Sequence, residues 1–174
     1  MATKESEAAR LPFRFGWVYA AKFLCGEGRA NPKVESPVQT GFYSTAINVH
    51  NPNIFPVLFR KKAVLLYDSR KPEEALERPM PPAKTEWHQV IDLQPDWGLE
   101  IDCHDIRQVL LGGTAGGAPP PPWFIKGWVV IETLVEAPLD VVAVYTTAAI
   151  ERPETSTPSI EIDRVVGNRI LIFP

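Results

Sequence analysis

Lys126-Gly-Trp-Val-Val-Ile-Glu-Thr133 and Leu139-Asp-Val-Val-Ala-Val-Tyr-Thr-Thr147 decide the fold class of this chain. Both runs are rich in β-branched and aromatic residues and are too short for packed helices. Gly127, Pro138 and the polar segment from Glu151 bound them. Such runs read as strands buried between layers.

Working outward, the preceding segments supply further strands. Gly16–Cys25 is aromatic-flanked and closed by Gly26-Glu27-Gly28. Phe42–His50 ends on the turn-forming cluster Asn51-Pro52-Asn53. Pro56–Tyr67 is long enough that a bulge or bend is expected near Lys61. Glu86–Leu93 alternates in polarity. Leu99–Cys103 alternates too, then gives way to Ile106, Val109 and Leu110 at helical spacing, so a strand running into a short helix is expected, with Asp105 as its N-cap. Ile160–Val166, Gly167-Asn168 and Arg169–Pro174 form a hairpin pattern. Pro72-Glu-Glu-Ala-Leu-Glu allows one helical turn.

About eight strand-like runs separated by polar loops predict an all-β protein. The expected architecture is an antiparallel β-sandwich with one short helix. Residues 1–12 are expected to be a flexible N-terminal segment, and 13–174 a single domain that includes the C-terminal hairpin 160–174. Eighteen prolines argue against long helices, because proline inside one costs about 3 kcal/mol. The stretch 112–122 runs from glycines into four prolines and reads as a mobile or extended loop.

Composition narrows the function classes. A net charge of −3 lacks the basic excess that phosphate binding needs, so no nucleic-acid partner is expected. Arg60-Lys61-Lys62 reads as a solvated face. The charged start, without an apolar run, and the absence of any membrane-length apolar stretch predict a cytoplasmic protein with no membrane insertion.

Candidate chemistry is sparse. Cys25 and Cys103 are either two reduced core thiols, the reading a cytoplasmic setting favours, or a disulfide closing a loop of about eighty residues. His50, His88 and His104 lack metal-site spacing, and His50 reads as a turn cap. If a polar pocket exists, His50, His104 and Asp102 are its candidates. Cys103 and His104 would point to opposite faces of a strand, which disfavours a thiol enzyme. Gly112–Gly117 lacks a phosphate-loop ending, and Ser44 lies outside a nucleophile elbow. Neither a catalytic nor a metal site is expected, and no cofactor. Five tryptophans could form a sugar-binding platform, although core or subunit contact is the commoner use.

Several phrases resemble a family of uncharacterised bacterial proteins: Tyr19-Ala-Ala-Lys-Phe-Leu-Cys-Gly26, Thr45-Ala-Ile-Asn-Val-His-Asn-Pro52, Leu99-Glu-Ile-Asp-Cys-His-Asp-Ile106, Lys126–Glu132 and Leu139–Thr146. That resemblance implies kinship without a mechanism. In layout alone the chain is similar to the sensory rhodopsin transducer family, whose members are small β-sandwiches that form homo-oligomers and bind a receptor's cytoplasmic face. The expectation is a non-catalytic, self-assembling protein. Its expected contacts are Trp123, Phe124, Ile170, Leu171, Ile172 and Phe173, because an uncharged terminal arm must be paired or buried. A small-molecule or carbohydrate-binding module is the first alternative; a metal-dependent or thiol enzyme is the second.

Overall fold

The computed structural model describes residues 14–29, 39–68, 87–111, 123–149 and 157–172. The expected flexible start, the turn at Pro72, the loop 112–122 and Phe173 lie outside the described residues. Nine strands are present among the described ones: β1 (Arg14–Gly28), β2 (Gly41–His50), β3 (Val57–Asp68), β4 (Ile91–Leu93), β5 (Gly98–Asp102), β6 (Ile125–Thr133), β7 (Asp140–Ala148), β8 (Ser159–Arg164) and β9 (Asn168–Ile172). One short helix, α1 (Cys103–Asp105), continues into a π-helical turn, Ile106–Leu110.

The strands pair antiparallel along one path, β4-β3-β6-β1-β2-β7-β8, with β9 added to β1 and β5 to β2. β1 belongs to both layers. Its residues Val18–Cys25 pair with β6, and Gly26–Gly28 pair with β2. Gly26 makes the transfer possible: it has φ +106°, and a Cβ there would collide with the Trp123 carbonyl oxygen. The two decisive runs become β6 and β7, one in each layer.

Period-two alternation places the core. Ala21, Phe23 and Cys25 of β1, Val129 and Ile131 of β6, Ile47 and Val49 of β2 and Val141 and Ala143 of β7 are all buried. Each large apolar side chain among them adds about 1.5–3 kcal/mol by leaving water. The all-β antiparallel sandwich expected from the sequence is the observed fold.

Four local expectations differ from the structure. The irregularity of β3 falls between Leu65 and Tyr67, not near Lys61. Of the expected strand Glu86–Leu93, the described residues 87–93 contain a strand only at Ile91–Leu93. The N-cap is Asp102, whose carboxylate accepts from the Asp105 N–H at 2.8 Å; Asp105 is the reciprocal partner of a capping box. β8 and β9 do not form a hairpin. β8 pairs with β7 and β9 with β1, so the chain crosses between layers at Val165–Gly167. The Val165 N–H donates to Val141 O, and Gly167 lies against the Tyr19 ring where a Cβ would not fit. Packing on Tyr19 outweighs the local turn signal.

Candidate functional site

Cys25 and Cys103 are joined in a disulfide, so the favoured reading of two reduced thiols is corrected. The capping box turns the chain after β5 and brings Cys103 over the junction of β1 and β2. There Thr45, 1% exposed, ties the layers together: its hydroxyl accepts from Leu24 N–H and donates to Leu24 O, both at 3.0 Å. The Thr45 N–H donates to Cys103 Sγ at 3.3 Å. Cys103 is therefore fixed in a structural staple.

The proposed polar trio does not converge. His50 pairs with Gly98 and Ala46 with Asp102, so four residue steps, about 13 Å, separate His50 from Asp102 along β5. His104 is exposed on α1. His50 instead lies between two carboxylates, 3.1 Å from Asp96 and 3.7 Å from Asp140. The turn is capped by its neighbour: buried Asn51 donates to Phe55 O and Leu93 O and accepts from the Asn53 N–H. Among the described residues no group of three His, Cys, Asp or Glu is placed to hold a metal ion. No helix there is long and apolar enough to cross a membrane.

The basic triplet divides. Arg60 forms an ion pair with Glu132 at 2.7 Å, and Arg60 and Lys62 both stack on the Trp87 ring. Lys61 is buried, and burial lowers its pKa against the opposing influence of Asp105.

The expected contact residues are largely used within the chain. Phe124 is 2% exposed and meets Tyr43 edge-on. Ile170, Leu171 and Ile172 pair with Gly16, Phe15 and Arg14, so β1 supplies the partner the terminal arm needs. Trp123 is half-buried against the core.

Two surfaces remain. The first is the outward face of β2, β7 and β8. Strand register places Ala46, Val144 and Ile162 in one row, with Ser44, Thr146 and Ile160 in the next. Ile160 and Ile162 are 65% and 69% exposed, and Phe42 adds a 39% exposed ring. Charged groups, such as Arg164 and Asp140, stand only at the margin, where they pair at 3.0 Å.

The second surface is a groove of about 450 Å³ between the other face of β2, β7 and β8 and the outward face of β1 and β6. Ala20, Leu24, Trp128, Tyr43 and Tyr145 form its apolar part; Lys22, Thr147, Ser159, Glu161 and Asp163 supply polar groups. Burial raises the pKa of the Tyr145 phenol, and the nearby Asp163 and Glu161 charges push the same way. Sequence reading missed this groove because its walls come from strands far apart in the chain. Of the five tryptophans, Trp128 alone lines it. Comparison with protein-family models, with curated proteins and with solved structures gives no match.

Proposed function

We propose that the chain is a non-catalytic interaction protein that assembles with its own copies through the outward face of β2, β7 and β8. The observation carrying this reading is the uncharged centre of that face. An antiparallel sheet normally turns polar residues to water on its free side, and a contiguous apolar patch rimmed by charge marks a contact surface. The sheet face of a second copy would cover it, with aligned packing of the two sheets. Pairing through the edge of β8 that is turned away from β7 is less favourable. An antiparallel twofold that keeps both isoleucines on one face sets Glu161 opposite Glu161, Asp163 or Ser159, so most registers oppose like charges.

The layout similarity to a family of homo-oligomeric sandwiches supports the same reading. A non-catalytic role is supported by the groove: Glu161 and Asp163 stand on one lip, whereas the acid and base of a glycoside hydrolase flank the bond they break. As to compartment, the Cys25–Cys103 bond supports an oxidising one over the cytoplasm expected from the sequence.

Light scattering tests the assembly. The wild type should show a mass above that of one 19.4 kDa chain, and Ile162→Glu should lower it while the circular-dichroism spectrum stays that of β-sheet. A mass of one chain for the wild type at all concentrations, or an unchanged mass for the variant, would refute it.

A further inference from the structure

The groove on the opposite side of β8 carries a chemistry that assembly does not use. Its volume of about 450 Å³ falls in the range of small-ligand sites and suits one or two sugar rings. Trp128 and Tyr145 give it aromatic surface, on which the C–H face of a pyranose can pack. Thr147 and Ser159 add hydroxyls that both donate and accept.

Charge then narrows the class. Glu161 and Asp163 are two residues apart on β8 and therefore point to the same side. Neither is in an ion pair with a described residue, and Lys22 is the one cation in the lining. The lining thus offers two carboxylates on the β8 side against one ammonium on the β1 side, where Lys126 of β6 lies near Lys22. The hydroxyls of a neutral sugar would give these exposed carboxylates ordinary hydrogen bonds, weaker than charge-assisted ones, and an acidic sugar would be repelled. An ammonium group on the ring would be held by the carboxylates and by the adjacent aromatic faces.

We propose that the groove between β1, β6 and β8 binds an amino sugar, with Trp128 as the stacking surface and Glu161 and Asp163 as the ammonium acceptors. Lys22 and the hydroxyls bond the ring oxygens. The ligand site and the assembly face occupy opposite sides of one strand, so either can fail without the other.

The test is a titration of the full chain with fully deacetylated chitobiose at mildly acidic pH, read by tryptophan fluorescence, with cellobiose as the neutral control. Saturable binding in the millimolar range, at least about tenfold weaker for cellobiose, is the expected result. Glu161→Gln/Asp163→Asn should abolish the preference for the amine. Trp128→Leu should remove the fluorescence change and, followed by calorimetry, weaken both sugars. Absence of saturation, equal binding of cellobiose, or a preference that survives Glu161→Gln/Asp163→Asn would overturn the proposal. The carboxylates lie on an exposed strand, so their variant keeps the test decisive even if Trp128→Leu does not fold. Light-scattering mass, measured in parallel, separates a lost ligand site from a lost assembly.

Discussion

β7 has two neighbours that are stabilised in different ways. On one side, β2 buries Thr45, Ile47 and Val49, pairs with β5 and the end of β1 as well as β7, and sits under the disulfide. On the other, every residue of β8 is exposed, and β7 is its sole strand partner among the described residues. The contrast teaches where this fold keeps its stability and where it displays chemistry. β2 is held by burial, hydrogen bonds and a covalent link. β8 turns isoleucines to one side and carboxylates to the other, with little cost to the core if either set changes.

β2 depends most on the staple. Replacing Cys25 and Cys103 by serine should cost about 4–5 kcal/mol by chain entropy for a separation of 78 residues, measured by urea unfolding. A loss below 1 kcal/mol would mean that β2 does not depend on the link. Next, Thr45→Val removes both bonds to Leu24 while keeping the shape. It should cost about 1–3 kcal/mol, because the Leu24 N–H and C=O lose their buried partner.

A third variant probes the layer crossing. The hydroxyl of buried Tyr19 accepts a bond there from the Leu139 N–H at 2.7 Å, and burial raises its pKa above 10.0. Since the folded pKa is raised, the unfolded chain releases this proton first. The stability it contributes is therefore complete below pH 10 and is lost as pH rises through the folded pKa. Tyr19→Phe should cost about 1 kcal/mol at neutral pH and reduce the alkaline loss relative to wild type. Equal alkaline slopes for the two proteins would contradict this. The smallest effect belongs to β8: Ile162→Glu should change the stability of the single chain by less than about 0.5 kcal/mol, as surface substitutions do, despite its effect on assembly.

The same two strands show what was legible in the sequence. Alternation in Phe42–His50 and the β-branched runs of β6 and β7 revealed strands, because a half-buried pleat imposes a period of two. The fold class followed from those runs and the polar loops between them. Partners were harder. Gly167-Asn168 has the chemistry of a hairpin turn, yet Gly167 is used for its close approach to Tyr19, a contact made 148 residues away in sequence. Likewise Asp102 and Asp105 were visible as a polar cluster, but which one caps depends on where β5 stops. The disulfide and the groove rest on layer-to-layer placement, which neither period nor propensity encodes. Cys25–Cys103 was one of two readings open to the sequence, and the placement of β5 beside β2 decides between them.

Hydrogen exchange at the amides of β2 and β8, compared between dilute and concentrated protein, shows whether β2 is held within one chain and β8 by a second copy. Thr45–Val49 should be protected equally at both concentrations, since burial and the staple hold them within one chain. The amides of Ser159–Arg164 should exchange rapidly when dilute and slow down as copies assemble. Protection of β8 equal to that of β2 in the dilute protein, or rates in β8 that ignore concentration, would contradict this.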